Sequence, residues 1–469
     1  PLLVALRRAE RARDGAFLGW LFATTMWLIN VPWVIDVMWR YGGLPLPVGI
    51  ALYVAMAMYL GLYGALFGLI VQRLRASCWL LIPIAWAAVE YVRSHLFSGF
   101  PWHLIAQSIL DVPYLIQIDR WVGPYAVGLL VVVPSALVLS NMPKGNKAMT
   151  LVAFFVVWSA LGVAAERRLP TPLAKAAMLQ PNISQQTRWD DDNLNQIYDR
   201  MMRMTSVAAA ADVDVLIWPE STVPLAFASQ PFYQQTIEGV SRSEGIDIIL
   251  GSVAEDPIDP KKVWNAAYLV SDGKTAGRYD KLKLVPFGEF VPLRKLLFFA
   301  EKLVRAVGEF QFGSNDRPLR GKHLYGPAIC YEVVFPRIPA VQVRNGATVL
   351  VTITNDGWFG ETAAPRQHFN AARLRAIETD RYLLRAATTG ISALVDPNGR
   401  IVRSMPMNQE GIVFGEFSPR QTLTPYMRFG DWFAVACIVI LVIPLVRARS
   451  HSKQMAGSEI ASPRFMRKQ

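Results

Sequence analysis

Three short motifs stand where apolar, strand-like runs end, and each carries a side chain that can take part in covalent catalysis. The motif LIWPEST at 216–222 presents Glu220, YDKLKLVPFGEF at 279–290 contains Lys281, and AICYEVVF at 328–335 presents Cys330. A free thiol has a pKa of about 8.5, so little thiolate exists near neutrality unless a base removes the proton. A glutamate shielded from water can be that base, and a lysine can stabilise the oxyanion formed when a thiolate attacks a carbonyl. The three residue types together therefore suffice for cysteine-based acyl chemistry.

Taken one at a time, these residues have plainer explanations. A free cysteine is most often a small buried core residue, and lysine is usually a solvated surface charge. Lys283, two residues after Lys281, is an alternative for the same role. The two histidines of this region, His323 and His368, lie outside the three motifs. The joint occurrence of the three motifs, in this order, is what favours a catalytic interpretation.

The segment 170–425 that carries the motifs alternates short apolar strands with helical stretches. Such alternation predicts a layered α/β domain, and strands nearly continuous in Val, Ile and Leu predict sheets covered on both faces. The predicted strands lie at 175–179, 213–218, 247–253, 266–270, 325–330, 348–353, 392–395 and 411–414. The predicted helices lie at 191–211, 231–239 and 366–385.

The remainder of the 469-residue chain is strongly apolar, and the whole chain is 52% hydrophobic with a mean hydropathy of +0.26. A segment that crosses a bilayer needs about 20 mostly apolar residues. Candidate spans lie near 15–36, 47–71, 78–97, 121–140, 148–165 and 430–446. The sequence therefore predicts a polytopic helical membrane domain, with the α/β domain outside the membrane between the last two of these spans.

The formal net charge of +12 is concentrated in basic stretches around 7–13, 73–75, 144–147 and 447–468. These stretches alternate with the candidate spans as cytoplasmic loops do under the positive-inside rule. Their placement predicts that 170–425 lies on the outer side of the membrane. It also argues against nucleic-acid binding, which needs basic residues on one folded face.

The order and local contexts of the three motifs resemble the nitrilase superfamily, whose αββα sandwich carries a Glu-Lys-Cys triad. Membrane spans on both sides of such a domain narrow the resemblance to the apolipoprotein N-acyltransferase family, over essentially the whole chain. The motifs that carry the resemblance are GGLPLP at 42–47, GFPW at 99–102, QQTRWD at 185–190, WPES at 218–221, LVPFGEFVPL at 284–293, ICYE at 329–332, NDGWFG at 355–360 and LTPYMRFGDW at 423–432.

The resemblance implies a role for each residue of the triad. Glu220 would be the general base, Lys281 the oxyanion-stabilising lysine and Cys330 the nucleophile. The family pattern places its lysine five residues before the proline of PFGE, which selects Lys281 over Lys283. Four further residues match positions that support the site or the acyl chain, namely Glu289, Tyr331, Glu332 and Trp189.

The activity implied is transfer of a fatty acyl group from phospholipid, through a cysteine thioester, to the N-terminal α-amine of S-diacylglyceryl-cysteine apolipoproteins. The sequence shows no metal-ligand spacing and no phosphate-binding glycine loop, so no metal and no cofactor are expected. The resemblance also implies a monomer in the bacterial inner membrane, with its catalytic domain in the periplasm. The expected organisation is a membrane domain of about five helices at 1–168, a nitrilase-like domain at 169–426, a final span at 427–447 and a basic cytoplasmic tail at 448–469. The family has eight spans, whereas six candidate spans are visible here, and the sequence begins with Pro1 instead of a methionine. The resemblance therefore implies two further spans before residue 1.

Two alternatives remain open on the sequence. A membrane-tethered amidase could use the same triad on a small amide, but it would need an open polar pocket. A transporter or channel would normally carry ionisable residues within its spans, where Glu90 is the main candidate here. The amphipathic stretch at 290–312 is compatible with a core-packing helix or with a lid that dips into lipid.

Overall fold

The computed structural model describes residues 1–74, 79–185, 193–223, 225–259, 261–290 and 310–444. Within these residues twelve strands form two six-stranded sheets, and eight of the strands lie at predicted places. The strands are β1 Ala174–Gln180, β2 Val215–Ile217, β3 Asp247–Glu255, β4 Val263–Ser271, β5 Lys274–Asp280, β6 Leu319–Arg320, β7 Leu324–Ile329, β8 Val349–Thr354, β9 Leu383–Ala387, β10 Ala393–Val395, β11 Ile401–Ser404 and β12 Gly411–Phe417.

The two sheets share one construction. The first has the order β12-β1-β2-β3-β4-β5 and the second β11-β10-β9-β8-β7-β6. In each sheet three central strands are parallel, β1 to β3 and β7 to β9, with antiparallel neighbours outside them. Parallel neighbours need crossover connections. Helices supply these at Leu194–Ala209, Pro231–Glu244, Arg337–Arg344 and Ala364–Thr379.

Apolar side chains of both sheets pack against each other in a shared core. Met178 and Ile249 of the first sheet and Val351 and Leu384 of the second are buried in this cluster. The opposite face of the first sheet is covered by the helices at 194–209 and 231–244, and that of the second by the helices at 337–344 and 364–379. The layers are therefore helix, sheet, sheet, helix, which confirms the αββα expectation.

The structure has four strands that the sequence did not predict, namely β5, β6, β9 and β11. The helix predicted at 366–385 ends at Thr379, and β9 begins at Leu383 between β8 and β10. Leu, Arg and Ala favour a helix locally, so this strand is imposed by its two sheet neighbours. β5 was not predicted because it is an edge strand with mostly polar, partly exposed residues and no apolar run.

Helices lie at all six places where spans were expected. Leu46–Arg73 and Lys144–Ala165 are long and apolar enough to cross a bilayer, and Ala12–Asn30 with Trp33–Tyr41 would be a third span broken by a 59° bend. Pro124–Val138 and Trp432–Pro444 are shorter apolar helices, and Leu81–His95 is a 15-residue helix. A helical membrane part is thus supported, while six full spans stay a prediction. The remaining short helical turns are Leu2–Arg8, Ile105–Ile109, Pro113–Ile116, Asp119–Val122, Phe227–Ser229, Cys330–Val334, Asp356–Phe359 and Pro425–Phe429.

The membrane helices and the sandwich are joined by a continuous apolar core. One buried cluster runs from Trp27 in the first long helix, through Trp102, to Tyr331 and Phe369 of the sandwich. Trp102 is only 2% exposed because protein covers it. The outer helix layer of the second sheet therefore packs directly against the membrane part.

Candidate active site

Glu220 lies just after β2, where the chain turns closely over the neighbouring strand. A Cβ at Gly251 of β3 would come within 2.6 Å of the Glu220 Cα, so this approach requires glycine. The Glu220 side chain is buried. Its Oε1 accepts a hydrogen bond from Asn265 Nδ2 at 2.7 Å, and its Oε2 accepts one from the Asn355 backbone N–H at 2.8 Å. Two donors thus fix the orientation of the carboxylate.

Lys281 follows β5 and is almost fully buried between two carboxylates. Its Nζ lies 2.8 Å from Glu289 Oε1 and 3.4 Å from Glu220 Oε1. Burial alone would lower the pKa of Lys281, but the charges of Glu289 and Glu220 hold that pKa above its usual range. The ammonium therefore stays charged at any ordinary pH. The Lys283 side chain points elsewhere, with its Nζ 4.9 Å from the centre of the Phe335 ring. The two lysines, which the sequence left as alternatives for one role, therefore lie in different surroundings.

Cys330 directly follows β7 and has a left-handed backbone, with φ of 50°. The turn that follows it is tied down by Glu332, which is fully buried. Glu332 accepts hydrogen bonds from the backbone N–H of Ile329 at 2.7 Å and of Leu282 at 2.6 Å. Burial raises the pKa of Glu332 to about 7 in spite of these donors. Glu332 therefore links the cysteine turn to the segment that carries Lys281.

The Cys330 thiol is buried within electrostatic range of both partners. Burial, followed by the negative charge of Glu220, raises the pKa of the Cys330 thiol well above its usual value, while Lys281 acts in the opposite direction. The resting thiol is consequently protonated. Attack on a carbonyl would then need a base, and Glu220 is a carboxylate within electrostatic range of the thiol.

The structure also places side chains here that the sequence motifs did not single out. Asn265 Nδ2 donates to both carboxylates, at 2.7 Å to Glu220 and 3.0 Å to Glu289. His368, which lies outside the three motifs, has its Nε2 at 2.9 Å from the backbone oxygen of Cys330. In the sequence, the segment before His368 is marked by the predicted strand at 348–353 and by the NDGWFG motif at 355–360.

Three of the four supporting residues expected from the sequence lie among the described residues. Glu289 contacts Lys281, and Glu332 anchors the cysteine turn, as described above. Tyr331 is buried, with its ring centre 6.4 Å from that of Trp102, so it faces the membrane part. Trp189 lies outside the described residues, as do 291–309 of the amphipathic stretch. Among the described residues, no group of three or more His, Cys, Asp or Glu side chains could hold a metal ion.

Comparisons with known proteins give matches to both parts of the chain. The carbon-nitrogen hydrolase family model matches residues 175–424, and the apolipoprotein N-acyltransferase N-terminal domain model matches residues 1–137. Among solved structures, the NitFhit protein of C. elegans is similar with a TM-score of 0.43 and 21% identity, over 53% of this chain and 62% of that one. An amidase from Nesterenkonia sp. is similar with a TM-score of 0.41 and 18% identity, over 55% of this chain and 95% of that one.

The sandwich and the family match together define a carbon-nitrogen hydrolase domain of nitrilase type, carried by a chain with apolar helices. Relatives extend the similarity to the whole chain. The apolipoprotein N-acyltransferase of Geobacter metallireducens is 35% identical over 93% of this chain and 87% of its own length. That of Methylococcus capsulatus is 33% identical over 95% of this chain and 90% of its own length. The chain belongs to the apolipoprotein N-acyltransferase family.

Proposed function

We propose that this protein transfers a fatty acyl group from phospholipid to the N-terminal α-amine of diacylated apolipoproteins, with Glu220, Lys281 and Cys330 as its catalytic residues. The observation that carries the proposal is the burial of a thiol beside a carboxylate and a charged lysine, in a sandwich packed onto membrane helices. The supporting roles proposed for Glu289, Tyr331 and Glu332 follow from their contacts in this site.

The first half-reaction forms a thioester. Glu220 takes the Cys330 proton, and the sulfur attacks the ester carbonyl of the phospholipid. The negative charge that develops on the carbonyl oxygen is stabilised by Lys281, whose ammonium is already fixed in place. The ester C–O bond then breaks, and Glu220 returns the proton to the departing oxygen, so that a lysophospholipid leaves. The acyl group remains on Cys330.

The second half-reaction forms an amide. The α-amine of the acceptor attacks the thioester carbonyl, Lys281 again stabilises the oxyanion, and Glu220 takes the proton from the amine nitrogen. The C–S bond breaks and the Cys330 thiolate is reprotonated from Glu220. This is covalent catalysis with two successive substrates. It requires water to be kept from the thioester. The burial of Cys330, and the buried aromatic cluster that contains the adjacent Tyr331, would contribute to this.

The proposed location is the bacterial inner membrane, with the catalytic domain at 169–426 in the periplasm and a membrane domain at 1–168. Arg7 donates to the backbone oxygen of Leu139 and to Asn141, each at 3.0 Å, so the first basic stretch lies beside the start of the third. β1 of the sandwich begins beyond Ala165, at the opposite end of the helix that Lys144 begins. Basic stretches at one end and the sandwich at the other suit the positive-inside rule.

The proposal is tested by incubating the purified protein with phospholipid and a diacylated lipopeptide, and measuring the masses of enzyme and peptide. We expect a fatty acyl adduct on Cys330 with phospholipid alone, and a triacylated peptide when the peptide is added. Cys330→Ala should abolish both products. Acyl transfer that persists in this variant would refute the assignment, and hydrolysis of a small amide without an acyl adduct would favour the amidase alternative.

A further inference from the structure

A buried histidine holds the backbone of the proposed nucleophile. His368 lies in the helix Ala364–Thr379 and is 1% exposed. Its Nε2 is 2.9 Å from the backbone oxygen of Cys330. A carbonyl oxygen can only accept, so Nε2 carries a proton and donates it to this hydrogen bond. The histidine therefore contacts the main chain of Cys330 while Glu220 and Lys281 act on the thiol.

The imidazole ring is fixed on its other edge by a second set of hydrogen bonds. His368 Nδ1 lies 3.0 Å from Asp356 Oδ1, which also accepts from the Thr354 hydroxyl at 2.9 Å. Arg385 Nη2 donates to Asp356 Oδ2 at 2.8 Å. Burial would raise the pKa of Asp356, but Arg385 and His368 lower it to about 2. Asp356 is thus a fixed anion that anchors the ring.

The membrane part fixes the ring from a third direction. The Trp102 ring stacks on the His368 ring, with centres 5.7 Å apart and planes 15° apart. The preceding residue, Gln367, accepts at Oε1 from Nε1 of Trp102 at 2.8 Å and of Trp33 at 3.1 Å. The start of the histidine's helix is therefore held by two tryptophans that belong to the membrane part.

The backbone that His368 holds is a costly one. The φ of 50° at Cys330 lies in the left-handed region, which is unfavourable for a residue that carries a Cβ. Without a contact that holds it, the peptide that follows Cys330 would relax, and the direction of the Cα–Cβ bond would change with it. The thiol would then be misplaced relative to Glu220 and Lys281.

We propose that His368 is a positioning residue for acyl transfer, whose hydrogen bond to the Cys330 carbonyl keeps the thiol aimed at its substrate and at Glu220. The inference rests on the proposed role of Cys330 as nucleophile. It assigns His368 no contact with substrate and no part in proton transfer. Its effect should therefore be on the rate of thioester formation and not on phospholipid binding.

Two substitutions separate the bonds of His368. His368→Asn places an amide near the position of Nδ1, so the contact with Asp356 is retained while the Cys330 carbonyl is out of reach. His368→Gln places an amide nitrogen near the position of Nε2, so the donor to that carbonyl is retained. His323→Asn is the matched control, since His323 is a half-buried histidine of the same domain that packs against Tyr325 and Phe417.

The experiment measures single-turnover formation of the acyl adduct on Cys330 of the full chain in phospholipid-detergent micelles. Displacing a reacting group by about 1 Å can lower a reaction rate about 10²-fold. His368→Asn should therefore slow adduct formation by about 10- to 100-fold, with an unchanged KM for phospholipid. His368→Gln should restore most of the rate, and His323→Asn should match wild type. The adduct amplitude counts competent molecules, so partial misfolding of a variant does not alter the rate constant.

Two results would overturn the inference while wild type still forms the adduct. One is a wild-type rate in His368→Asn. The other is an equal loss in His368→Asn and His368→Gln, which would assign the effect to packing or to Asp356. Failure of the wild-type protein to form any adduct would instead refute the proposed function itself.

Discussion

Replacing Lys281 by methionine tests the electrostatics of the site most directly, because it removes one charge and little volume. In the wild type, the ammonium lies 2.8 Å from Glu289 and 3.4 Å from Glu220. Both carboxylates also accept from the same nitrogen of Asn265, so they are near neighbours. Lys281→Met would leave these two buried carboxylates facing each other without a cation.

The size of the effect follows from that geometry. Removing one partner of a buried ion pair typically costs about 3–5 kcal/mol. For a domain of this size, 1 kcal/mol corresponds to about 2–4 °C in melting temperature, so we expect a fall of about 6–20 °C at pH 8. Because one of the two carboxylates can take up a proton instead, the deficit relative to wild type should be smaller at about pH 5. Loss of the oxyanion-stabilising charge should slow acylation by at least about 10²–10³-fold.

The assay pairs thermal unfolding at the two pH values with mass measurement of the acyl adduct on Cys330. Lys283→Met is the control, because it makes the same chemical change two residues away, where the ammonium lies over the Phe335 ring. Adduct formation within tenfold of wild type in Lys281→Met, or an equal loss in Lys283→Met, would refute the role given to Lys281. Wild-type Lys281 itself should not titrate in this range, since its pKa is raised.

Three further outcomes follow from the cysteine turn. Because burial and Glu220 raise the pKa of the thiol, alkylation of Cys330 by iodoacetamide should accelerate about tenfold per pH unit from about pH 6 to about pH 9; a plateau below about pH 8 would contradict this. Because φ at Cys330 is 50°, Cys330→Gly should be more stable than Cys330→Ala by about 1 kcal/mol, and a higher melting temperature for the alanine variant would count against the strain. Glu332→Gln would turn an amide N–H₂ toward the backbone N–H of Ile329 or of Leu282, so two donors would face each other. We expect the free energy of unfolding to fall by about 1–3 kcal/mol. Unchanged thermal unfolding would show that these hydrogen bonds contribute little.

The sequence sufficed for those parts of the fold in which local pattern and final structure agree. Strongly apolar runs such as β3 and β8 were placed correctly, since sheets covered on both faces select continuous apolar strands. β9, with the sequence LLRAA, was assigned to a helix, because its strand conformation depends on pairing with β8 and β10. Hydropathy predicts the membrane part, yet among the described residues two helices are long and apolar enough to span, or three spans if the bent pair counts as one.

In the site, the three strand-end motifs were enough to single out Glu220 and Cys330 as candidates, because the chemistry of a carboxylate and of a thiol depends on residue type. The motifs left Lys281 and Lys283 as alternatives, and the family resemblance favoured Lys281. What the tertiary structure alone decided is how these side chains are held. The donor from Asn355 to Glu220 joins residues 135 positions apart, and the bond from His368 to the Cys330 carbonyl joins residues 38 apart. Neither contact leaves a periodic trace in the chain, because hydrogen bonds between distant segments depend on where the two sheets and the membrane helices finally meet.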